Sequence, residues 1–111
     1  MAQNRMHFKD TVHFITNRCE HEMFLMLPNE TITRIIQGWF ARALCLFGDG
    51  LEIYAFIFLS NHFHLICNDT KGTLAAFICY FQGNVAKAIN RELGRSGRFW
   101  SREYDRRHCS R

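Results

Sequence analysis

Proline is almost missing from this chain. Pro28 is the only one among 111 residues, which argues against a flexible or Pro-rich linker. Long apolar runs are missing too: none approaches the roughly 20 residues of a membrane span. The segment Met1 to Phe8 is polar and lacks the apolar core of a signal peptide. Together these absences predict a cytoplasmic protein with no membrane partner. No C-x-x-C pair occurs among the five scattered cysteines, and an odd count excludes a complete disulfide framework within one chain. Buried free thiols in a reducing compartment are expected instead. Also missing are a P-loop, a dinucleotide glycine fingerprint, a zinc-finger pattern and a Gly-x-Ser-x-Gly elbow. The single His-x-His argues against phosphoesterases that need two separate His-x-Thr/Ser motifs.

What is present is a compact core. Hydrophobic residues make up 48% of the chain and eleven are phenylalanine, enough for one globular domain over residues 1–111. The net charge of +4 is unevenly placed: from Arg91 to Arg111 there are seven arginines against Glu92, Glu103 and Asp105. Such a segment suits a nucleic-acid backbone, or is simply a solvated basic face.

Val12 to Cys19 is β-branched and aromatic, as a first strand requires, and Glu20 to Glu22 breaks it. Met23 to Leu27 is a short apolar connector closed by Pro28. Asn29 is a helix N-cap. After it Ile32, Ile35, Ile36, Trp39, Phe40, Ala43, Leu44 and Phe47 recur at helical spacing, until Gly48-Asp49-Gly50 stops the helix. Leu51 to Leu59 predicts a second strand, Ser60-Asn61 a tight link, and His62 to Asn68 a third strand antiparallel to the second. A second helix starts near Thr73, with Leu74, Phe77, Ile78, Phe81, Val85, Ala88 and Ile89 as its buried stripe and Gly83 as a weak point. Phe99 to His108 predicts a fourth strand. The order β-α-β-β-α-β predicts an α+β, ferredoxin-like fold: a four-stranded antiparallel sheet with two helices on one face and the other face open.

Leu59-Ser60-Asn61-His62-Phe63-His64-Leu65 carries the chemistry. On a strand, residues i and i+2 share a face, so His62 and His64 stand side by side about 7 Å apart along the strand, while Phe63 anchors the other face. Two imidazoles so placed can share one divalent ion, and such an ion polarises a phosphate oxygen. Two half-exposed histidines near a turn are the plainer alternative. His13 is expected to be structural. Tyr54 is expected in the core and Tyr80 off the helical stripe, with Tyr104 in the arginine-rich segment; packing or surface hydrogen bonds are the expected roles of all three. Arg91 to Arg107 interleaves arginines with Phe99, Trp100 and Tyr104. Arginines pair with phosphates and exposed rings stack on bases, unless Phe99 and Trp100 fill the core.

The segments Phe14-Ile15-Thr16-Asn17-Arg18, Tyr54 to Leu65 through the hairpin, Phe81 to Arg91, Gly97-Arg98-Phe99-Trp100 and Arg102-Glu103-Tyr104-Asp105 together resemble the HUH single-tyrosine transposases, most of all the REP-associated tyrosine transposases. The likeness runs over nearly the whole chain from Val12 onward. It implies a single-stranded DNA transposase domain that cleaves and rejoins DNA through a phosphotyrosine intermediate. His62 and His64 would hold Mg²⁺ or Mn²⁺, and Arg18, Arg91, Arg95, Arg98 and Arg102 would contact single-stranded or hairpin DNA, with a homodimer as a common assembly in the family. The family's nucleophilic tyrosine lies on a further helix after the last strand, with a side chain near it that completes the metal site. Neither Tyr80 nor Tyr104 matches that position, so no residue here takes the catalytic role. The chain is expected to be either a truncated copy or a fragment, and a catalytically inactive hairpin-binding remnant is the alternative function.

Overall fold

The computed structural model describes residues 12–101, and the backbone alone of Thr11 and of residues 105–110. The fold is α+β. Its elements are β1 (Thr11–Arg18), a short 3₁₀ turn (Glu20–Glu22), α1 (Glu30–Phe47), β2 (Leu51–Phe58), β3 (His62–Asp69), α2 (Leu74–Leu93) and β4 (Asp105–Ser110). Strand β3 lies at the centre of an antiparallel sheet, with β2 on one side and β1 on the other. The backbone of β4 runs antiparallel along the far side of β1, giving the order β2-β3-β1-β4. No helix of the described residues is long and apolar enough to cross a membrane.

Alternation along the strands decides which face is covered. His13, Ile15, Asn17 and Cys19 of the first strand and its end are buried, as are Phe63, Leu65 and Cys67 of β3. Both helices pack on that face: the Phe40 ring of α1 stacks on Phe56 of β2 at 4.0 Å, and Phe81 of α2 meets Phe63 of β3 edge-on at 5.7 Å. Each large apolar side chain sealed there stabilises the fold by about 1.5–3 kcal/mol. The opposite face of the sheet carries Phe14, Thr16, Arg18, His62 and His64, all at least partly exposed.

Local chemistry explains the helix ends. Asn29 caps α1, its side-chain oxygen accepting the Ile32 amide at 2.8 Å. At α2 the Thr73 side chain caps nothing. The buried Asp69 carboxylate at the end of β3 accepts the amides of Gly72, Thr73 and Leu74 at 2.9, 3.1 and 3.2 Å instead, satisfying orphan donors at the positive end of the helix. The helix runs through Gly83 and ends at Gly94, whose φ of 66° is the left-handed conformation that glycine adopts without penalty.

Two expectations are corrected. The pairing of β2 with β3 slips between Ile53 and Ala55, a β-bulge that reverses which residues face the helices. Before it Leu51 and Ile53 point inward; after it Phe56 and Phe58 do, and Tyr54, Ile57 and Leu59 are 50%, 54% and 51% exposed. Tyr54 is therefore not a core residue, and its phenol donates to Glu52 Oε1 at 3.1 Å. Phe99 and Trp100 do not begin a strand: they are buried at 3% and 8% exposure, and Trp100 only bridges to Cys19. Trp100 packs edge-on against Phe63 at 5.4 Å and donates its indole N–H to the Gln82 carbonyl at 3.0 Å, which pins the chain to the core before β4 starts at Asp105. Tyr80 is half-buried between the rings of Trp39 and Phe47, with centroids 5.9 and 5.6 Å away.

Candidate metal and nucleic-acid site

Burying Phe63 and Leu65 forces His62 and His64 onto the open face. Their rings lean together, with centroids 4.9 Å apart and planes at 86°. Each has one nitrogen already engaged. His62 Nδ1 lies 2.8 Å from Asn61 Oδ1, and His64 Nδ1 lies 3.1 Å from the hydroxyl of Thr16, its cross-strand partner on β1. In both rings Nε2 is the nitrogen left for a ligand. The pKa of His62 is lowered, first by desolvation and then by the charges of His64 and Arg18. That favours the neutral imidazole, the form that binds a metal.

Arg18 stands directly across from His62 in the β1–β3 register, so the histidine pair and one exposed guanidinium share a single surface. The guanidinium suits an anion such as a phosphate oxygen beside the two imidazoles. The donor set fits a divalent ion through two nitrogens, and the remaining coordination positions suit water or phosphate oxygens. Among the described residues no group of three or more His, Cys, Asp or Glu is placed to hold a metal.

The other arginines are not brought there. Arg91 sits in the last turn of α2, in the helix layer on the opposite side of the sheet. Arg95 is engaged within its own loop, donating to Asn90 Oδ1 at 2.6 Å and to the Arg98 carbonyl at 3.2 Å. Arg98 is exposed on the segment that passes the end of β1, where Glu20 N donates to the Phe99 carbonyl at 2.7 Å and Ser101 N to the Arg18 carbonyl at 2.9 Å. Arg102 and Tyr104 lie outside the described residues. His13 is fully buried on the helix-covered face.

Sequence reasoning missed Asn61 and Thr16 as partners of the two rings. Thr16 carried a signal, since it sits one alternation from Arg18 on a predicted strand. Asn61 resembled ordinary turn chemistry.

No protein-family model matches the chain, and no curated protein matches it. Solved structures do. A REP-associated tyrosine transposase bound to a REP hairpin superimposes with a TM-score of 0.67 at 15% identity, covering 93% of this chain and 58% of that one. A protein of Deinococcus radiodurans R1 assigned as a transposase superimposes with a TM-score of 0.67 at 13% identity, covering 89% of this chain and 78% of that one. The chain has the fold of these transposases. The resemblance read from its sequence is borne out at the level of the fold, and the chain spans little more than half the length of the REP-associated transposase.

Proposed function

We propose that this chain is the DNA- and cation-binding domain of a single-stranded DNA transposase of the HUH tyrosine type, built on a ferredoxin-like sheet. The observation that carries this is the pairing of His62 and His64 on the open face, each with Nδ1 engaged, on a fold shared with a transposase bound to a hairpin. His62 and His64 would hold Mg²⁺ or Mn²⁺, and nitrogen donors favour the latter. When bound, the ion polarises a phosphate oxygen and stabilises the charge that develops on it. Arg18 pairs with the phosphate backbone beside the two rings, and Arg98 extends the basic track past the end of β1. Single-stranded or hairpin DNA is the partner, and a homodimer is the assembly that the resemblance suggests.

Cleavage and strand transfer need a tyrosine at the pair. The Tyr80 ring is held between the helices, and the Tyr54 phenol is held on Glu52, which pairs with Asn68 far along β3 from His62. We assign the nucleophile to neither. The second function is therefore grip without cutting.

A labelled hairpin DNA incubated with the protein and Mn²⁺ separates these outcomes. Retention without a covalent band supports the binding domain, and a covalent protein–DNA band supports full transposase chemistry. No retention at low salt defeats both. His64→Ala should weaken Mn²⁺ binding at least tenfold with an unchanged melting curve, and unchanged affinity refutes the metal assignment.

A further inference from the structure

Asn61 makes contacts in three directions. Its side-chain oxygen faces His62 Nδ1 at 2.8 Å, its side-chain amide donates to the Glu22 carbonyl at 3.4 Å, and its backbone carbonyl accepts the Cys19 amide at 2.9 Å. The contact to Glu22 decides the orientation of the amide, since only nitrogen can donate to a carbonyl. The oxygen is then the atom left for His62. An amide oxygen only accepts, so His62 must donate from Nδ1, and its lone pair is placed on Nε2. Thr16 exerts no such control over His64, because a hydroxyl both donates and accepts.

The segment supplying the Glu22 carbonyl is unusual. His21 and Glu22 both have positive φ, 53° and 56°, in the left-handed region that non-glycine residues seldom occupy in succession. Such conformations persist where the surroundings fix them. Here the turn is closed by Glu22 N on the Cys19 carbonyl at 3.0 Å and Met23 N on the Glu20 carbonyl at 3.1 Å. The backbone bond from Met26 N to the Ser60 carbonyl at 2.9 Å fastens the following segment to the β2–β3 link.

We infer that Asn61 is a positioning residue for the metal pair: braced by the left-handed turn at His21 and Glu22, it fixes the tautomer of His62 so that Nε2 faces the open sheet as a ligand. The inference rests on the proposed cation site. It predicts an unequal pair, with one imidazole locked by an amide and the other free to adapt through a hydroxyl.

Long-range ¹H–¹⁵N NMR of the neutral imidazoles, read on the full chain without metal, tests the tautomer directly. His62 is expected as the Nδ1–H form, and Asn61→Ala should convert it to a mixture. An Nε2–H form in the unmodified protein overturns the inference, as does a tautomer unaffected by Asn61→Ala. Mn²⁺ titration supplies the second readout. Asn61→Ala should weaken binding roughly 10- to 100-fold, the usual effect of losing a partner behind a ligand. Asn61→Asp, which keeps the acceptor, should restore affinity to within a few-fold of the unmodified protein. Equal weakening by both variants would mean that Asn61 merely shapes the turn, and overturns the inference. Failure of the unmodified protein to bind Mn²⁺ defeats the cation site itself, whereas the metal-free tautomer still judges the role of Asn61.

Discussion

The Arg95 guanidinium lies 2.6 Å from Asn90 Oδ1, and the same Asn90 side chain donates to the Gly97 carbonyl at 3.1 Å. The two residues clasp the loop that follows α2. Among the described residues the Arg18 side chain has no such partner; it is exposed on the open face beside His62. The two arginines should therefore separate experimentally. Arg95→Ala should cost about 1–2 kcal/mol of stability, from two lost bonds of a charged donor, with little change in the salt dependence of DNA binding. Arg18→Ala should leave the melting temperature in place and reduce the slope of log affinity against log salt by about 0.7, the value of one lost phosphate contact on a single strand. Salt titrations and thermal melts of the two variants check both outcomes.

Gly83 lies inside α2, and a Cβ built there meets nothing within 4 Å. Gly83→Ala should stabilise the protein by about 0.5–1 kcal/mol, because alanine loses less backbone freedom in the helix and no neighbour has to move. A rise of a few degrees in melting temperature is expected. A fall would mean that the glycine serves a close approach that the structure does not contain.

Burial raises the Cys19 thiol from its ordinary 9.0 to about 11. A folded-state pKa raised above the unfolded value favours the neutral thiol in the folded protein. Its stabilising contribution is complete below pH 9 and is lost as the pH climbs toward 11. The melting temperature should fall over that interval, and fall less in Cys19→Ala. At pH 8 a thiol reagent should modify Cys45 and Cys79, which are exposed, well before Cys19 and Cys67, which are buried. Mass spectrometry of the labelled peptides checks the order.

The parts of the fold legible in the sequence are those governed by local periodicity. The stripe from Ile32 to Phe47, the cap at Asn29 and the alternation His62-Phe63-His64-Leu65 each have a cause within a few residues of chain, and each appears as expected. What was not legible depends on partners distant in sequence. Phe56 and Phe58 turn inward, and Ile57 and Leu59 outward, because β2 slips against β3, and no pattern inside Leu51–Phe58 reveals that slip. Arg95 looked like its neighbouring arginines until the loop closed around Asn90. The capping of α2 by Asp69, five residues before Leu74, depends on how β3 delivers its last residue to the helix. The histidine pair was readable because a strand's two-residue repeat is enough to set it on one surface; its supports at Asn61 and Thr16 required the hairpin link and β1 to be in place.

The irregularity at Tyr54 also bears on the edge of the sheet. Among the described residues β2 is the outermost strand on its side; it carries the half-exposed Ile57, with the half-exposed Leu59 just past its end. A straight margin of that composition would template the addition of a neighbouring chain, amide by amide. Interrupting the rhythm midway denies an incoming strand more than a short matching stretch, so an otherwise sticky border is poorly suited to fibril growth.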